Sequence, residues 1–355
     1  MFRSRILAAT AVAAAAAATV SLAACGSSSA AGSGGAGTAA MPTVTLMVGG
    51  IDKQIYLPYQ LAQGLGYYHK YGVNVQLSTE SNGGVGAETA MASGQVDMAG
   101  AWYVHTINFQ LQGKNVVDVV QLSGAPGERE MCATGTHITS PAQWKGQNIG
   151  VTDLGSGTDQ LTLYMAARAH LSTSDFHRLG VGAGSTFVAA LQQHRIVCGM
   201  TTQPTVAAVE KLGIGYSAFD LASPAGVKQW LGGFWPTAAV LARSDWVASH
   251  KAVVQKVVDA LVATMHYIAT HSAVDIAAHM PPAFVSNSLI TKDEYVKALA
   301  ADKSQFLTDG MMPSNGPATV LAVEKMAGVI TGPVNLATTY TNSFAVAANR
   351  LEGTK

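Results

Sequence analysis

Residues 151–171, VTDLGSGTDQLTLYMAARAHL, read as a strand end, a glycine turn and the opening of a helix. The N–H groups that open a helix lack intrahelical partners and lie at its positive end, so Gly155, Ser156, Gly157 and Thr158 suit a phosphate, sulfonate or carboxylate. A nucleotide-hydrolase loop also needs Lys after its second glycine, whereas Thr158 and Asp159 follow Gly157. Ser156 with Asp159 three residues on equally fits an ordinary N-terminal cap. Enzymatic signals are weak elsewhere. There is no G-x-S-x-G elbow and no H-E-x-x-H, and His266 and His271 stand five apart, off a common helix face. No metal and no cofactor is expected, and the chain reads as a non-enzyme. A formal G-x-G-x-x-G at Gly32, Gly34 and Gly37 lies in a low-complexity run with no strand before it, so it is not a dinucleotide fingerprint.

The N-terminus suggests a destination. Arg3 and Arg5 precede an uncharged, alanine-rich stretch from Ile6 to Ala24, and small residues lead into Cys25. This is the chemistry of a secretory signal over residues 1–25. LAAC at 22–25 resembles the lipobox of bacterial lipoproteins, which implies lipidation at Cys25. Residues 26–42, rich in Gly, Ser and Ala, read as a flexible tether.

The 355-residue chain exceeds the roughly 250–300 residues at which single cores stop growing, so two lobes are expected. Its 21 basic and 21 acidic residues balance, and charged residues make up only 12% of the chain; neither fits a nucleic-acid footprint. After Cys25 only Cys132 and Cys198 remain. An exported chain can pair them, though spacing alone favours buried free thiols.

Strands expected at 44–48, 73–78, 96–101 and 116–122 alternate with helices. The alternation resumes after Ser140, arguing for parallel sheets with helices on both faces. AMASGQVDMAGAWYVHTINF from Ala90 and ALQQHRIVCGMTTQPTVAAV from Ala190 share a layout of helix end, strand, polar turn and new helix. After a strand at 237–242, residues 244–272 read as one long helix capped by Ser244.

The run GGIDKQIYLPYQLAQGLGYYHKYGVNVQL, the glycines and alanines of NGGVGAETAMASGQVDMAGA, then GSGT and ALQQHRIVCGMTTQP resemble the solute-binding lipoproteins of ABC importers for nitrate, sulfonates, taurine and thiamine-pyrimidine precursors, the NMT1/THI5-like family. The resemblance implies an α/β, two-lobed periplasmic-binding-protein fold of type II, with two mostly parallel sheets and a ligand cleft between lobes. Residues 43–134 would begin lobe 1, 135–234 would form lobe 2, and 235–355 would return to lobe 1 with C-terminal helices. The crossings would lie near Met131–His137 and Leu231–Thr237. It further implies a monomer, exported and lipid-anchored at the outer face of the cytoplasmic membrane or in the periplasm, that hands a small organic solute to a permease and its ATPase. The same fold also carries pyrimidine-precursor biosynthetic enzymes, and a tethered solute sensor is a third reading.

In open α/β sheets ligands bind beyond the carboxyl ends of strands. The expected ligand contacts are therefore Asp52, Gln54 and Tyr56 after the first strand, and Asn82, Gly83 and Gly84 after the second. Trp102 follows the third strand, and Gly155, Ser156, Gly157 and Thr158 form the opening turn. Thr202, Gln203 and Trp235 complete the set. Lys53 reads as a solvated side chain and Arg129 as half of an exposed ion pair.

Overall fold

The structure, a computed structural model, describes residues 40–80 and 84–353. The expected signal, Cys25, nearly all of the tether, and Asn82 and Gly83 lie outside these residues. Among the described residues, ten strands form two five-stranded sheets. The first contains β1 (Thr43–Val48), β2 (Asn74–Thr79), β3 (Met98–Trp102), β4 (Val116–Gln121) and β10 (Ala238–Arg243), in the order β2-β1-β3-β10-β4. The second contains β5 (Glu128–Ala133), β6 (Asn148–Val151), β7 (His177–Gly180), β8 (Cys198–Thr202) and β9 (Gly215–Leu221), in the order β7-β6-β8-β5-β9. The two orders are equivalent, and the sequence echo falls on β3 and β8, the middle strand of each sheet.

Both sheets are mixed, with four of the five strands in each running the same way and one, β10 or β5, running against them. β1 pairs in parallel with β2 and β3, but β10 runs antiparallel to β3 and β4. β6 pairs in parallel with β7 and β8, and β5 runs antiparallel to β8 and β9. The cause is connectivity: β5 and β10 each enter a sheet directly from the other half, without the helical crossover that a parallel strand needs. Their amino ends therefore meet the carboxyl edge, with Glu128 opposite Thr202 and Ala238 opposite Trp102.

β5 is the strand that the sequence reading overlooked. The first crossing accordingly occupies 122–127, ahead of Met131–His137, and β5 belongs to the second sheet. The return crossing lies at 232–237. The two crossings run side by side, with Trp235 N–H donating to Gly124 O at 3.0 Å and Thr237 N–H to Ser123 O at 3.1 Å.

β5 also corrects the cysteine expectation: Cys132 and Cys198 form a disulfide. They face each other across β5 and β8 with their Cα atoms 3.9 Å apart, and both are buried. Arg129 is corrected too. It is mostly buried and bidentate to Asp302, at 2.7 and 2.6 Å, with Asp220 at 3.8 Å.

The expected 244–272 helix is two helices, Ser244–Ser249 and Lys251–Thr270, and Arg243 rather than Ser244 holds the N-cap position. The Ser249 hydroxyl bonds to the carbonyls of Asp245 and Trp246, and His250 Nδ1 lies 2.9 Å from Trp246 O, so local side chains take acceptors at the break. The second helix is long and apolar enough to cross a membrane, but 61% of its apolar window is buried within the protein. Val254, Val257, Val258, Leu261, Met265 and Ile268 form its buried stripe, the spacing of a core helix.

Candidate interlobe binding site

The carboxyl edges of the two sheets meet. Gln54 N–H, just after β1, donates to Gln203 O, just after β8, at 3.0 Å. Trp102, the last residue of β3, lies against Gly157 in the first turn of the helix Gly157–Arg168. A Cβ on Gly157 would sit 1.9 Å from Trp102 Cε3, so only glycine allows the ring this approach. Trp102 also makes a T-shaped contact with Trp235, centroids 5.6 Å apart, and both are buried. Tyr56, in the turn after β1, is buried, with its hydroxyl 4.0 Å from where a Cβ on Gly84 would sit. Burial, then Glu88, Glu128 and Glu80, holds that phenol well above its usual range.

Of the remaining sequence-expected residues, Gln54 is buried, with Nε2 donating to Tyr295 O at 3.0 Å and Oε1 unpartnered. Gln203 is buried, and its Oε1 accepts from Ala207 N–H. Thr202 hydroxyl donates to Gly127 O at 2.7 Å, tying β8 to the first crossing. Asp52 is exposed.

The glycine turn takes the capping reading. Ser156 caps the helix through Asp159 N–H, Thr158 hydroxyl accepts from Thr152 N–H at 2.9 Å, and Asp159 Oδ2 accepts from Gly155 N–H at 2.8 Å. Asp159 is also paired with Arg178. Gly84, at φ 97°, donates its N–H to Glu80 Oε1 at 2.9 Å. In both expected anion turns, then, a carboxylate of the protein already receives a loop N–H. Gly157 contributes a surface for Trp102 instead.

Unmet buried polar groups also lie on β5. Glu128 and Glu130, 4% and 0% exposed, alternate with Arg129 and therefore share one face of the strand with Cys132. Glu128 Oε2 and both carboxyl oxygens of Glu130 have no hydrogen-bond partner. Burial pushes Glu128 up to about 8, with Lys53 and then Arg129 opposing the rise. Burial, with Glu128 as a like-charged neighbour, raises Glu130 well above the carboxylate range. Lys53, far from being solvated, is partly buried, donates to Gly49 O at 2.9 Å and has its pKa lowered by burial against the pull of Glu128, Asp52 and Glu80. Trp235 Nε1 is buried without an acceptor. On the first lobe Glu88 Oε1 lies 3.1 Å from His105 Nε2. Burial raises the acid and lowers the imidazole to about 3, disfavouring the charged form of each. Glu128 and Glu130 were legible in PGERE as an alternating pair; placing the crossing there hid the strand that puts them on one face.

A family model described as NMT1/THI5 like matches residues 55–308. No curated protein matches the sequence significantly. Among solved structures, one from Bordetella bronchiseptica RB50 is 26% identical, covering 88% of this chain and 98% of its own, with a TM-score of 0.81. The alkanesulfonate-binding protein SsuA from Xanthomonas axonopodis pv. citri, bound to MOPS, is 15% identical over 84% of this chain and 98% of its own, with a TM-score of 0.67. The periplasmic nitrate-binding protein NrtA from Synechocystis PCC 6803 is 14% identical over 88% of this chain and 89% of its own, with a TM-score of 0.68. The fold is that of periplasmic binding proteins, two mixed sheets flanked by helices.

Proposed function

The chain belongs to the NMT1/THI5-like family, and from that premise we propose that it is the solute-binding component of an ABC importer. It captures a small organic solute between its lobes and delivers it to a membrane permease and that permease's ATPase. The observation that carries this reading is the junction of the two carboxyl edges: Trp102 of one lobe seated on Gly157 of the other, with unmet buried polar atoms gathered beside it. Binding there couples solute capture to lobe closure, and a permease can read the closed shape. Export by the N-terminal segment and acylation of Cys25 would hold the protein near that permease, monomeric and without a cofactor. Gly84 belongs to the same proposed cleft as Gln54, Tyr56, Trp102, Gln203 and Trp235.

X-ray scattering of the mature protein with and without solute tests closure: the radius of gyration should fall on binding, and an unchanging particle with every stabilising solute refutes the reading. A thermal-shift screen over sulfonates, taurine, nitrate, pyrimidines and amines finds the solute, because a ligand that binds the native state raises stability with its excess over Kd. Mass spectrometry of the mature N-terminus checks Cys25 for acyl chains; an unacylated terminus removes the anchor but not the receptor.

A further inference from the structure

The charges around the cleft do not suit an anion. The two expected anion turns place the carboxylates of Glu80 and Asp159 on their own N–H groups. Two guanidinium groups beside these elements are engaged, Arg178 by Asp159 and Arg129 by Asp302 and Asp220. Arg129 moreover points to the face of β5 opposite Glu128 and Glu130. Lys53 is the cation facing Glu128, and it shares its charge among Glu128, Asp52 and Glu80. Glu128 and Glu130 stand about 7 Å apart along the strand, two residues on one face. Between them they carry three buried oxygens with no hydrogen-bond partner. Buried polar atoms in native folds are nearly always paired, so such a concentration marks a place where another group completes them. A second, independent feature lies alongside: the Trp235 indole, buried with its N–H unmet and packed on Trp102, sits on the return crossing, which pairs through Trp235 N–H and Gly124 O at 3.0 Å with the crossing that leads into Glu128.

We infer that the solute carries a positive charge: Glu128 receives its cationic end with Glu130 behind it, and Trp102 and Trp235 cover its apolar body. This deepens the import reading and rests on it. The chemistry is consistent at both ends of such a molecule. A carboxylate desolvated in a closed site binds an ammonium or amidinium far more strongly than the same pair does in water, and indole faces attract cations. Sulfonates and nitrate have no positive charge with which to draw the proton from Glu128 and pair with the carboxylate left behind, so this pair of acids favours a cation over them.

The test uses three probes of one shape on the full mature protein: benzamidinium, neutral benzamide and benzenesulfonate, read by thermal shift and calorimetry. Benzamidinium should stabilise the protein and bind at least about tenfold more tightly than benzamide, with benzenesulfonate weaker than either. Glu128→Gln should lower benzamidinium affinity by about thirtyfold or more while benzamide changes little. Glu128→Asp, which keeps the charge, should recover part of that loss and shows that the effect is not one of folding. Benzamide or benzenesulfonate binding as well as benzamidinium overturns the inference, and so does an unaltered Glu128→Gln or the failure of every probe to bind at about 10 mM. If uncharged or anionic solutes instead close the lobes in scattering, the charge assignment falls while the import reading stands; if no solute closes them, the import reading itself falls.

Discussion

The turn Gly155–Asp159 follows β6 in the sheet that also holds the strand Glu128–Ala133, and the two differ in what they leave unmet. The turn answers most of its own polar demands: Ser156 caps, Thr158 accepts from Thr152, and Asp159 binds Gly155 N–H and Arg178. The strand buries two carboxyls with three unpartnered oxygens and is held in place covalently by Cys132–Cys198. A motif that looks like a binding loop can thus be a self-contained helix start, while an unremarkable strand carries the electrostatic demand. Function is better sought where polar groups lack partners than where a pattern is familiar.

That contrast can be broken in four places. The largest effect should come from the strand's covalent tie. Replacing Cys132 and Cys198 together by Ala releases a loop spanning 66 residues of sequence separation and should cost about 2–4 kcal/mol in denaturant unfolding. Solute affinity should change little so long as β5 keeps its register, and a large loss of affinity would show that the disulfide sets the site directly.

Next is the point where the turn meets Trp102. Gly157→Ala places a methyl group inside the ring's volume and should cost about 1–3 kcal/mol, together with a loss of compaction by scattering. Trp102→Ala in the same chain should relieve most of that penalty, giving a clear coupling energy in a double-mutant cycle. Additive effects would mean that the contact does not hold the lobes together.

The third concerns protons. Glu128 and Glu324, both raised to about 8 by burial, keep a proton in the fold after the unfolded chain has lost it near 4.5. Each therefore weakens the fold as pH climbs from about 4.5 to about 8. His105, lowered to about 3 from 6.5, has the opposite slope between those values, so above about 6.5 the carboxyls act without it. Stability should fall between pH 6.5 and 8 by on the order of 1–2 kcal/mol per group, and Glu128→Gln should flatten the profile. A stability that rises across this window contradicts the assignment. A cation bound at Glu128 should also displace its proton, seen as a dependence of binding enthalpy on the buffer's ionisation heat near pH 7.

The smallest effect is Ser156→Ala. Losing a cap should cost about 1 kcal/mol of stability and leave solute affinity nearly unchanged. A selective loss of affinity would restore the turn to the ligand.

The architecture was largely open to reading because its signals are local. Apolar runs of strand length, helices between them and glycine turns identified nine of the ten strands; hydrophobic period and turn chemistry act over a few residues. Three features escaped for lack of such a signal. β5 interleaves Glu128, Arg129 and Glu130 and lacks the apolar pattern of a strand, because Arg129 meets its counter-ion Asp302 on one face and two carboxyls are buried on the other. The break at Ser249–His250 depends on side chains competing for helix carbonyls. The disulfide depended on an antiparallel register between segments far apart in sequence.

By itself, the sequence determined the alternation of elements, the division into two halves and the membership of Gln54, Tyr56, Trp102 and Trp235 in the strand-end turns, since each follows from patterns within one segment. Only the tertiary structure decided which N–H groups are already taken, which carboxyls are buried without partners and which glycine carries a tryptophan. Those are properties of what two distant stretches of chain do to each other's access to water, and no single stretch encodes them.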